Sequence, residues 1–180
     1  MTDTLLAGFI VKWMTHDFAS PIATAMTASE LLSDTPDAEI NGLVQESTVR
    51  LAGRLRLVRA ALAPGASPIG DAALEKLVRG GLDGTAITWS RSGTDSDGLR
   101  AKVIAGSALL LADLRRGQPL TVTDTHAQWE TPVALPDAVA AALAGKPATD
   151  SRSAVAALLA ATAANAGLVL TATADGIAWG

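Results

Sequence analysis

Residues 4–33 read TLLAGFIVKWMTHDFASPIATAMTASELLS, and the spacing of their small and apolar side chains decides the fold. Ala7, Val11, Met14, Phe18, Ile22, Ala25, Ser29 and Leu32 step along the chain by three or four residues at a time. That period is helical, and it persists for about three and a half heptads. The run outlasts an ordinary globular helix, which predicts a bundle or coiled-coil element. Pro36, flanked by Asp34 and Asp37, is expected to end this helix and open the next. The second helix is predicted to run to about Ala63, with Val44, Thr48, Leu51, Leu55, Val58 and Leu62 repeating the step. Gly42 and Gly53 would each cost it roughly 1 kcal/mol, an expense that close approach of another helix would offset. Pro64-Gly65 closes it. Two such helices form a hairpin that can bury only one face, so two copies are expected to pair as a four-helix bundle, a homodimer.

Ala66 to Gly70 reads as a linker, after which the periodicity changes. Short helices are predicted over Asp71–Arg79 and Pro136–Ala144, and longer ones over Leu99–Leu114 and Ser151–Ala166. Alternation predicts strands over Ala86–Ser90 and Leu120–Thr125, the latter pairing with Trp129–Val133. A last hairpin is predicted from Leu168–Ala172 and Ile177–Trp179 around Asp175-Gly176. Helices interleaved with hairpin strands predict one sheet with helices on one face. The expected fold class is therefore α+β, with a helical hairpin over residues 1–65 and a small α/β sandwich over 66–180.

Composition narrows the function. Of 180 residues 49% are hydrophobic and only 3% aromatic, with alanine prominent, which suits helices packed through small side chains. The net charge of −4 is mild and no basic cluster stands out, so nucleic acid is not an expected partner. Cysteine is absent, which removes disulfides and thiolate metal sites. Met1 to Val11 has no basic n-region, and Lys12, His16 and Asp17 interrupt the apolar run too early for a membrane span. A cytoplasmic protein is expected.

The hexapeptide His16-Asp17-Phe18-Ala19-Ser20-Pro21 stands inside the first helix. At about 100° per residue, the seam lies within roughly 40° of Phe18 and His16 lies about 160° from it. His16 therefore points away from the seam. Pro21 removes a backbone donor to the Asp17 carbonyl and is expected to kink the helix below His16.

An acid after a histidine and a proline five residues on resembles the phosphoacceptor box of histidine kinases. Together with Glu30-Leu31-Leu32 and the run Arg54-Leu55-Arg56-Leu57-Val58-Arg59-Ala60-Ala61-Leu62, it resembles the alphaproteobacterial histidine phosphotransferases of the ChpT type over about residues 10–63. The resemblance implies a phosphohistidine relay between receiver domains, one of them the receiver of a hybrid histidine kinase and the other that of a response regulator. His16 would be the nucleophile. Asp17 would hold its tautomer, although adjacent helical residues face each other poorly, and Ser20 would hydrogen-bond the transferring group. Magnesium would come only from the receiver.

The resemblance also implies that residues 66–180 are a degenerate histidine-kinase ATP-binding domain. The helix that should carry a magnesium-holding asparagine reads Lys102-Val103-Ile104-Ala105-Gly106-Ser107-Ala108, and Asp124-Thr125-His126-Ala127-Gln128 lacks a glycine pair. No intrinsic cofactor, no ATP and no autophosphorylation are expected. A small histidine kinase would need those missing residues, whereas a silent dimeric binding module would need none of them. Leu5, Phe9 and Trp13 lie on the same broad side as His16. They either bury against a partner hairpin or the second domain, or contribute to a receiver-docking patch. Glu46, Arg50 and Arg54 are spaced as a solvated ion-pair row. Arg59 resembles a family arginine and is a candidate receiver contact. His126 stands alone, and no metal site is assigned.

Overall fold

The computed structural model describes residues 3–34 and 38–180. Two long helices come first, α1 (Asp3–Asp34) and α2 (Ala38–Leu62), packed along one another. The turn expected at Pro36 lies outside the described residues. α1 stays helical through Pro21. Four helices and five strands follow: α3 (Asp71–Gly81), β1 (Ile87–Trp89), α4 (Gly98–Leu114), β2 (Leu120–Val122), β3 (His126–Trp129), α5 (Asp137–Leu143), α6 (Ser151–Asn165), β4 (Leu170–Ala172) and β5 (Gly176–Trp179).

The strands form one mixed sheet in the order β1-β2-β3-β5-β4. β1 and β2 are parallel, which requires a crossover between them, and α4 supplies it. The remaining pairs are antiparallel. Leu120, Val122, Ala127, Trp129, Ile177 and Trp179 are buried, while Thr121, His126 and Gln128 between them are only partly covered. The alternation gives the sheet one dry face, and α4 packs on β2 and β3.

One strand differs from expectation. β3 begins at His126 and ends at Trp129, not over 129–133, with Leu120 opposite Trp129 and Val122 opposite Ala127. The Thr123 hydroxyl accepts from the backbone N–H groups of Thr125 and His126, so the turn closes early and pairing starts at once. Pro132, which has no N–H to give, lies beyond the ladder.

Asp97 caps α4 by accepting from the Arg100 N–H. α6 opens with a capping box in which Asp150 accepts from the Ser153 N–H and Ser153 accepts from the Asp150 N–H. Gly53 has the packing reason anticipated for it, because a Cβ there would stand 2.0 Å from the carbonyl oxygen of Gly80 on α3. At Gly42 a Cβ would meet nothing within 4 Å, so no close approach within the described residues offsets its cost.

The core is continuous across the hairpin and the sheet-bearing half. Trp13, Leu57, Val58 and Ala61 belong to the same buried cluster as Leu109, Leu111, Trp129 and Ile177. Burying a large apolar side chain contributes about 1.5–3 kcal/mol, so these contacts tie one end of the hairpin to α4 and α6. Other parts of the hairpin stay bare: Val11, Ile22 and Met26 on α1 and Leu43, Val49 and Leu55 on α2 are exposed.

Candidate functional site

Helical rotation separates the neighbours of the His16 hexapeptide. Trp13 and Asp17 are four residues apart and share a face of α1, and that face meets α4. His16 is turned about 100° from Asp17 and is exposed. Ser20, one turn on, is exposed beside it, and Pro21 is half-buried. His16, Ser20 and Pro21 line an open cleft of about 520 Å³ whose other walls are Arg50 and Arg54 of α2, the segment 81–85, and Asp113 and Arg116 at the end of α4. Among the described residues no hydrogen bond reaches the His16 ring.

Beneath this cleft lies a polar clasp. The Arg54 guanidinium donates to Asp17 through Nε at 2.7 Å and Nη2 at 3.1 Å, and also to Asp113 Oδ1 through Nη2. The Trp13 indole donates to Asp113 Oδ2 at 2.7 Å, and Arg54 stands 6.0 Å over the Trp13 ring. The side chains of Arg54, Asp113 and Asp17 are only 15%, 10% and 8% exposed. Burial works to lower the Arg54 pKa, but the hydrogen bonds and charges of Asp17 and Asp113 outweigh it and raise it above the ordinary guanidinium range. Burial pushes the Asp113 carboxyl up, Arg54 counters only part of that, and the like charge of Asp17 adds to the rise. One arginine on α2 thus serves two buried carboxylates, one on α1 and one on α4.

Several expectations change at this point. Trp13 is 7% exposed and its indole is engaged by Asp113, so it leaves the docking patch for the core, the other alternative open to it. Asp17 does not reach back to His16, because both of its oxygens are turned to Arg54, and Arg116 approaches at 3.5 Å. Arg54 leaves the solvated row. Arg50 keeps the expected pair with Glu46 at 2.7 Å and adds Asp83 at 2.5 Å. Phe9 is half-buried, and Arg59 is exposed in the last turn of α2. Arg59 lines a different cleft from that of His16.

Asp113 and Arg116 were not among the residues singled out from the sequence. One signal for Asp113 was present: it is the lone charge in the apolar run Ala108–Leu114, and a charge placed in a buried helix face needs a partner. Nothing comparable marks Arg116, whose side chain is 71% exposed. It is the cleft cation least committed to a carboxylate, since Arg50 and Arg54 each make two close ion pairs.

The arrangement offers a nucleophilic imidazole open to a large partner, with an exposed hydroxyl one turn away and an exposed guanidinium across the cleft. Among the described residues no group of three histidine, aspartate or glutamate side chains is placed to hold a metal ion.

No family model matches the chain, and no curated protein matches it. Among solved structures the chain is similar to a bacterial phosphotransferase, with 18% sequence identity, 99% of this chain and 96% of that chain covered, and a TM-score of 0.73. At that identity the likeness speaks for architecture alone: the chain has, over nearly its whole length, the fold of that phosphotransferase.

Proposed function

We propose that this chain is a histidine phosphotransferase that passes a phosphoryl group between receiver domains through His16. The observation that carries the reading is the exposed, uncommitted imidazole at the rim of an open cleft, in a chain that shares the whole fold of a bacterial phosphotransferase. An imidazole nitrogen attacks the phosphorus of a receiver's aspartyl phosphate, the phosphorus–oxygen bond breaks, and the carboxylate leaves. The second receiver's carboxylate then attacks the phosphohistidine and releases the imidazole. Such transfer rests on positioning and charge stabilisation. The chain therefore needs only a poised nucleophile and a docking surface, and the receiver brings the magnesium.

Within this reading Ser20 hydrogen-bonds the transferring oxygens. Asp17 is a positioning residue that acts through Arg54 to hold α1 against α4. The docking surface lies on the hairpin around His16, with Phe9 and Arg59 as candidate contacts. The sheet-bearing half is a degenerate ATPase-like domain beginning at about residue 66. Supporting the absence of ATP chemistry, residues 103–112 of α4 are all buried, and Gly106 faces Leu159 and Ala61. The middle of the helix expected to hold nucleotide is packed with apolar neighbours. The bare apolar residues of α1 and α2 support a homodimer built as a four-helix bundle. No helix among the described residues is long and apolar enough to cross a membrane, and cytoplasmic work beside receivers fits this reading.

The test is a two-step transfer. A phosphorylated receiver should label the wild-type chain with acid-labile phosphate, and a second receiver should then discharge it. His16→Ala should abolish both steps. Labelling from ATP would overturn the assignment in favour of a kinase. The absence of label from a panel of receivers would favour a silent binding module.

A further inference from the structure

A second cleft, of about 400 Å³, lies between the end of α2, the linker after it, and the helices α3 and α4. Its apolar lining includes Ala60, Ile69, Leu74, Leu77 and Ala105, and its charged residues are Arg56, Arg59 and Lys102. No acidic side chain lines it. In a chain of net charge −4, this is a local reversal of sign.

Five of the other eleven lysines and arginines pair with a carboxylate, and these three, which share one cleft, do not. Arg50, Arg54, Arg79, Arg91 and Arg116 each pair with a carboxylate. Arg56, Arg59 and Lys102 make no such pair among the described residues. Lys102 donates to the carbonyl of Ala63 just past the end of α2, which satisfies one orphan carbonyl of that helix. An ammonium carries three donors, so two remain. Desolvation lowers the Lys102 pKa, a cost that a bound anion would relieve. Capping of α2 accounts for Lys102 but not for the two arginines beside it or for the apolar cavity. The volume lies within the range of small-molecule pockets, about 300–1,000 Å³.

We propose that this cleft binds a small amphipathic anion, an apolar body with a single phosphate or carboxylate head. The body lies against Ile69, Leu74 and Leu77, and the head meets Lys102, Arg59 and Arg56. The assignment shares Arg59 with the proposed receiver-docking surface, whereas His16 lies in another cleft and contributes nothing here.

The experiment is a calorimetric titration of the full chain with octyl phosphate, octanoate, octanol and inorganic phosphate, each below its micellar concentration. Octyl phosphate or octanoate is expected to bind at least about 10-fold more tightly than octanol or phosphate alone, since head and body act together. Arg59→Gln and Lys102→Gln should each weaken that binding by about 10-fold, the scale of one charge-assisted contact. Arg59 is exposed and caps nothing, so its variant tests the site without a folding complication. Equal binding of octanol and octyl phosphate would overturn the proposal, as would an affinity unmoved by both variants. Failure of both amphiphiles to bind would also overturn it, and binding of an acidic peptide in their place would assign the cleft to a protein partner instead.

Discussion

α1 and α4 are both apolar helices, yet they meet their surroundings in opposite ways. Of the 17 residues in α4, 12 are buried. In the 32-residue α1, Trp13 and Ala28 are the only buried residues among the described side chains. α4 is surrounded by α2, α3, α6 and the sheet, so apolar side chains all round it find contacts. α1 is covered less fully: it packs along α2 and against α6, and its Trp13 and Asp17 reach Asp113 and Arg116 at the end of α4. The stripe containing Val11, Ile22 and Met26 has no cover within the chain. Similar apolar content thus gives a finished core in one place and, in the other, a stripe left bare within the chain. The contrast also explains why a charged clasp joins α1 to α4. At an edge that keeps some solvent, an arginine shared by two carboxylates gives orientation that small apolar side chains do not.

The largest effect expected from breaking this comparison is at the clasp. Arg54→Ala leaves Asp17 and Asp113 facing each other without a cation, and removing one partner of a buried ion pair costs about 3–5 kcal/mol. Urea denaturation should show that loss, and a change below about 1 kcal/mol would mean that the clasp is not a structural joint. Next comes the bare stripe. The double variant Ile22→Asp, Met26→Asp should convert a dimer to a monomer in sedimentation while the near-ultraviolet signal of Trp129 and Trp179 is retained. A dimer that survives both charges would place the interface elsewhere. The smallest effect is at the finished end of the comparison, the N-terminus of α6. Asp150→Ala should cost about 1 kcal/mol at neutral pH, the usual value of a cap. The Ser153 backbone N–H holds the Asp150 carboxyl below its ordinary 3.8. Its contribution is therefore complete above pH 3.8 and is lost as the pH falls through the lowered value. The gap between wild type and variant should close in acid, and a gap that persists there would show that the carboxylate is not the source of the stability.

The elements that could be read from the sequence are those whose residues carry a local signal. The period of α1 and α2 and Pro64-Gly65 after α2 follow from short-range spacing, whereas the approach of α3 to Gly53 is tertiary. β3 was displaced because its turn is closed by the Thr123 side chain, and alternation alone does not register such a closure. At the site, the exposure of His16 followed from rotation about the helix axis. The same rotation turns Asp17 about 100° away, and its partner Arg54 lies 37 positions along the chain. Local spacing instead placed Arg54 in a row with Glu46 and Arg50. Arg116 reaches the cleft only because α4 ends beside α1, a tertiary fact with no mark in its own neighbourhood.

The most direct measurement of the central claim is the position of the phosphoryl group. After exposure to a phosphorylated receiver, the chain would be digested under alkaline conditions and its phosphopeptides mapped by mass spectrometry. The account predicts a phosphohistidine at residue 16 and none at His126, the only other histidine. Phosphate on His126, or on a serine or threonine, with His16 unmodified would contradict it.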